Sequence, residues 1–168
     1  MSLLDTIKNK YQEHQEKVAR LKYARGDKLA ALAVEYMGGY NDQKKAAGTL
    51  AFYQKRTEFN NPMLNKKFWF TIANTNVADV AIEGKHEVNQ RVTVTRLLAF
   101  GIFAFALKKK SEDKDAYITL VLADGQEVIF HVKDTSPMEL KARLAKAIWQ
   151  LKQAGHSTAV AGQHATMF

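Results

Sequence analysis

The chain has 168 residues, 25 Lys and Arg against 17 Asp and Glu, and a formal net charge of +8. Its 46% hydrophobic content suffices to bury one core with an extension, and the absence of cysteine excludes disulfides, zinc–thiolate sites, iron–sulfur clusters and thiol catalysis. The positive balance biases the protein toward anionic partners: acidic proteins, anionic lipid or nucleic acid.

Between Met1 and Met37 the chain has no proline and one glycine, Gly26. Leu4, Ile7, Tyr11, His14, Val18 and Leu21 fall at alternating spacings of three and four, which predicts a helix with a heptad seam. Lys8, Lys10, Glu13, Glu16 and Lys17 are assigned to the opposite face. The register fails at Arg25 and Lys28. Past Gly26-Asp27, Leu29, Leu32 and Tyr36 suggest a second helix, ended by Gly38-Gly39. Residues 1–37 are therefore expected to form an N-terminal helical segment, either a helical hairpin or a coiled coil.

From Gly48 onward the apolar period is two. Strands are predicted at Thr49–Tyr53, Thr57–Phe59, Phe68–Ile72, Val77–Ile82 and Arg91–Thr95. Asp79 falls between Ala78 and Val80, so a buried carboxylate bonded to Arg91 or Arg96 is expected there. The apolar run from Leu97 to Leu107 is about half the roughly twenty residues of a membrane-spanning helix. Within it Phe103, Phe105 and Leu107 alternate with alanines, so a core strand is expected. Lys108, Lys109, Lys110 and Lys114 would form a solvated hairpin tip, and are the candidate site for an anionic headgroup.

Tyr117–Leu122 and Gln126–Val132 flank Asp124-Gly125, a strong hairpin signal. His131, between Phe130 and Val132, is expected on the solvent face. Ser136-Pro137-Met138-Glu139 reads as a serine cap, proline at the first helical position and glutamate at the third. Leu140, Leu144, Ile148 and Leu151 give the following helix one apolar stripe. Residues 154–168 carry no such pattern and are expected to be a flexible tail.

Three stretches carry a family resemblance. MGGYNDQKKAAGTLAFYQKRTEF resembles the Gly-Gly segment and first hairpin of bacterial pleckstrin-homology-like (PH-like) domains. RVTVTRLLAFGIFAFALKKK resembles their middle portion, and YITLVLADGQEVIFHV with its capped helix resembles their end. The resemblance covers Met37 to Leu151. It implies an α+β fold over 38–153, an antiparallel β-barrel or bent sandwich with a C-terminal capping helix, and a non-enzymatic binding or adaptor role.

Phosphate-binding loops, zinc-protease motifs and nucleophile elbows do not occur in the sequence. His14, His86, His131, His156 and His164 fall on separate elements. No catalytic residue, metal or cofactor is expected. The partner is expected to be a protein, a second copy of the chain, or an anionic membrane surface, in a cytoplasmic and partly membrane-peripheral setting. Leu4, Ile7, Tyr11, Val18 and Leu21 are the candidate self-association residues. The alternative is nucleic acid, held by Lys44-Lys45, Lys66-Lys67 and Lys108–Lys110, with Tyr53, Phe68, Trp69 and Phe70 as stacking platforms.

Overall fold

Alternating burial along the chain builds a sheet with one oily face. The computed structural model describes residues 3–40, 45–61, 69–91 and 114–164. Helix α1 spans Leu3–Arg25, and strands β1 Lys28–Gly38, β2 Ala46–Tyr53, β3 Arg56–Asn60 and β4 Trp69–Ala73 follow. A 3-10 turn, Asn74–Asn76, leads into β5 Val77–Gly84 and helix α2 Lys85–Arg91. Strands β6 Ala116–Leu122 and β7 Glu127–Val132 precede helix α3, Pro137–His164.

The seven strands among the described residues form one antiparallel sheet in the order β4-β3-β2-β1-β7-β6-β5. Phe70 on β4 and Phe130 on β7 are four strands apart, which on a flat sheet would mean roughly 19 Å. Their ring centroids are 6.3 Å apart. The sheet is therefore rolled on itself, and Tyr36, Phe59, Phe70 and Phe130 meet at its centre. Leu50, Phe52, Ile118, Leu120 and Val128 complete the inner face. Seven antiparallel strands closed by a C-terminal helix are the PH-like α+β architecture expected from the sequence.

Local chemistry fixes the corners. In the β6–β7 hairpin Gly125 has φ 83°, its N–H donates to the Leu122 carbonyl, and the Asp124 carboxylate accepts from the Gln126 N–H. Helix α3 starts where Ser136 Oγ accepts the Glu139 N–H at 3.3 Å, with Pro137 in the first turn. Leu140, Leu144, Ala147 and Leu151 bury the helix against the sheet. A Cβ at Gly155 would fall 2.4 Å from the Val77 carbonyl oxygen, so glycine lets the helix approach the start of β5. Buried Asn74 donates to the Tyr53 and Gln54 carbonyls and accepts from Thr57 Oγ1, tying the β4–β5 corner to the β2–β3 turn.

Several expectations are corrected. The second helix does not form: Leu29, Leu32 and Tyr36 lie on β1, which pairs with β2 and β7. Only α1 of the N-terminal segment is helical, and Gly38-Gly39 ends a strand. Residues 154–164 of the expected tail are helical, because α3 runs to His164, and 165–168 lie outside the described residues. Asp79 is not buried; its carboxylate is more than half exposed and lies 3.2 Å from Lys152 Nζ. Arg91 ends helix α2 rather than opening a strand. The expected strand over Val92–Thr95, Arg96, and the apolar run Leu97–Leu107 lie outside the described residues.

Candidate docking surface

Helix α1 has no buried residue along its 23 positions. Leu4, Ile7, Tyr11 and Val18 are all exposed, Ile7 at 57%; Leu21 is half-buried. Most helical stability in proteins comes from packing of an amphipathic face, and α1 has little of it, so what fixes its end matters.

That end is built from two arginines and a glutamate. Arg25 Nε and Arg56 Nε lie 2.9 Å and 2.6 Å from the same buried Glu58 oxygen. The contacts are ionic rather than aligned hydrogen bonds. Glu58 sits mid-strand in β3, so the last turn of α1 is anchored to the sheet. Backbone bonds add to this: Lys55 N–H donates to the Arg25 carbonyl, and Gln54 N–H to the Asp27 carbonyl, each at 3.0 Å. Gln54 Oε1 accepts the Asp27 N–H in return. Lys55 Nζ donates to the Tyr23 carbonyl and sits 4.3 Å from the centre of the Tyr23 ring. The helix is a stalk held at its base. Beside that base a cleft of about 310 Å³ opens between Val18, Leu21 and Tyr53, rimmed by Lys22, Arg25, Asp27 and Lys28.

Helical geometry also sorts the charges. With the seam as the reference line, Lys8, Lys10, Lys17 and Lys22 occupy the positions immediately flanking it. Asp5, Glu13 and Glu16 lie behind, with Arg20 3.7 Å from Glu16. The sequence reading placed Lys8, Lys10 and Lys17 together with the acids; on the helix they separate from them.

A second charged group lies on the outer face of the sheet. Glu35, His131 and Tyr117 are cross-strand neighbours on β1, β7 and β6. The imidazole sits between Glu35 and Asp115, at 3.6 Å and 3.3 Å, and stacks on the Tyr117 ring at 4.8 Å. Lys45 Nζ meets the other Glu35 oxygen at 3.2 Å. His131 thus faces away from the core as expected, but its side chain is only 12% exposed. Burial pushes the Tyr117 hydroxyl above its usual range, and the Asp115 and Glu35 carboxylates push it the same way. The row is a ladder of polar and ionisable side chains across three strands.

Among the described residues, no group of three or more His, Cys, Asp or Glu could hold a metal ion. A polar cleft of about 380 Å³ at one barrel end is bordered by Tyr40, Thr71, Asn76, Asp124 and Gln126. Asp124 is already engaged in its turn.

Of the four candidate headgroup lysines, Lys114 is exposed in a turn before β6. Lys108, Lys109 and Lys110 lie outside the described residues. The proposed stacking platforms are not free surfaces where they are described: Phe70 is in the core, and Tyr53 lies under the Arg25 guanidinium at 5.3 Å. Sequence reasoning missed the Arg25–Glu58–Arg56 anchor, although the loss of heptad register at Arg25 marked its place.

No family model and no curated protein sequence matches the chain. Among solved structures it is similar to the C-terminal PH domain of human pleckstrin, with 12% identity and a TM-score of 0.44, covering 77% of this chain and 92% of that one. Among the described residues no helix is long and apolar enough to cross a membrane.

Proposed function

We propose that this chain is a non-enzymatic binding module in which the rolled sheet is the scaffold and α1 engages a protein partner or an anionic membrane surface. One observation carries the reading: an anchored helix presents an apolar seam that is exposed from Leu4 to Val18 and fully buries none of its residues. Sustained exposure of such a face is costly unless something covers it. The described clefts offer no convergent acid, base and nucleophile, which favours binding over catalysis. A cytoplasmic or membrane-peripheral setting follows as part of the same proposal.

Self-association through Leu4, Ile7, Tyr11, Val18 and Leu21 is the second reading, favoured by their heptad spacing. Against it, two copies would bring flanking lysines to face lysines. Headgroup binding at Lys108, Lys109, Lys110 and Lys114 is a separate proposal, tested by vesicle co-sedimentation after the first three are changed to glutamine.

A photo-crosslinking residue at Tyr11, compared with one at Glu16 on the far face, tests the docking role without naming the partner. In cells producing the full chain, position 11 is expected to yield a defined adduct and position 16 none. Equal yields from both faces, or no adduct from either, end the proposal.

A further inference from the structure

We infer that α1 docks on an anionic lipid bilayer, a reading that rests on α1 being the docking element. The arrangement of charge selects this occupant. Lys8, Lys10, Lys17 and Lys22 line both margins of the seam, while Asp5, Glu13 and Glu16 sit on the far side. A helix lying in a bilayer interface needs apolar residues below, cations at both margins to reach the phosphates, and acids turned to water. In a parallel pair of α1 helices Lys17 of one copy would face Lys22 of the other, and neither margin carries an acid to pair with a lysine.

The seam's own residues favour lipid over a dry protein groove. Tyr11 and His14 lie on it, and each must keep a polar group satisfied. Between helices they would be sealed from water; at headgroup depth they stay wetted. At the foot of the helix Lys22 and Lys28 border the cleft, together with Asp27, while Arg25 is held by Glu58. The ionic anchor at Glu58 holds that foot against the sheet, so a bound helix would bring the whole domain to the surface.

The test uses the full chain with vesicles of phosphatidylcholine alone, and of phosphatidylcholine with roughly one-third phosphatidylserine. Binding is expected on the anionic vesicles only, weakening as salt rises. Changing Lys8, Lys10, Lys17 and Lys22 to glutamine is expected to lower the partition coefficient about fivefold for each residue and several hundredfold together. Ile7→Ser with Val18→Ser is expected to lower it by at least about tenfold. All of these positions are exposed, so the variants should keep the wild-type urea midpoint. The inference is overturned if wild type shows no preference for anionic vesicles, or if the four-glutamine chain binds as wild type does. It is overturned equally if binding is lost only when Lys108, Lys109 and Lys110 are changed. Sedimentation velocity separates this failure from that of the docking role. A dimer that Ile7→Ser with Val18→Ser dissolves, on a chain that ignores vesicles, removes lipid as the occupant and leaves α1 as a docking helix.

Discussion

Tyr117 holds a hydroxyl inside a row that already carries two carboxylates. Burial disfavours the phenolate, and deprotonation would also place a third negative charge beside Asp115 and Glu35, which is why the pKa rises. In the unfolded chain the hydroxyl ionises near its ordinary value of 10.0. Between that pH and the raised folded value, the native state binds more protons than the unfolded one. The stabilisation is therefore complete below the unfolded pKa and is lost as pH rises through the folded pKa. Urea midpoints measured from neutral pH to above 10 should show an alkaline decline that Tyr117→Phe makes shallower. An unchanged decline would mean that the fold does not hold the Tyr117 hydroxyl above its ordinary value. At this scale sequence legibility depended on range. Ser136 capping Glu139 and Asp124 turning to Gln126 are partners two or three residues apart, so both were readable. Asp79 with Lys152, and Glu58 with Arg25, join residues distant in sequence, and strand register and helix docking choose such partners.

Among the elements, α3 and β1 show opposite outcomes. The stripe of Leu140, Leu144, Ile148 and Leu151 has one period and one cap, and the helix forms as its pattern dictates. In β1, KLAALAVEYMG fits two periods: Leu29, Leu32 and Tyr36 suit a helix, while Leu32, Val34 and Tyr36 alternate as a strand. Alanine and leucine favour the helix locally. Pairing on both sides, with β2 and β7, overrides them, because only an extended β1 puts Tyr36 among Phe59, Phe70 and Phe130. The neighbours that decided this come from more than ninety residues downstream as well as from the adjoining hairpin, beyond the reach of local propensity. Gly39 belongs to the same junction: its φ is 101°, and a Cβ there would lie on the Glu127 carbonyl. The helix gives the sharper prediction. Leu144 is 2% exposed in the main core, so Leu144→Ala should cost about 3 kcal/mol through lost transfer energy and the cavity left behind. In urea this appears as a lower midpoint at an unchanged slope, whereas a midpoint equal to wild type would mean that α3 does not carry the seal.

The molecule as a whole divides into a part that is stabilised by packing and a part that is not. The strands, α3 and the aromatic centre share one core, to which α1 contributes no buried side chain. Among the described residues its connection to that core is the short ionic and backbone anchor near Arg25, with Lys55 on Tyr23 beside it. Removal of residues 3–21 therefore leaves the anchor and takes away almost no surface that unfolding would newly expose. Because the urea slope follows that surface, both slope and midpoint should match the full chain, with stability changed by no more than about 0.5 kcal/mol. Far-ultraviolet circular dichroism should lose helical signal while the cooperative transition stays in place. In hydrogen exchange on the full chain, α1 amides before the anchor should exchange far faster than those of α3 facing the sheet. A substantial fall in midpoint on truncation would show that α1 shares the core's cooperativity, and the seam would then be an internal contact rather than a surface held ready for a partner.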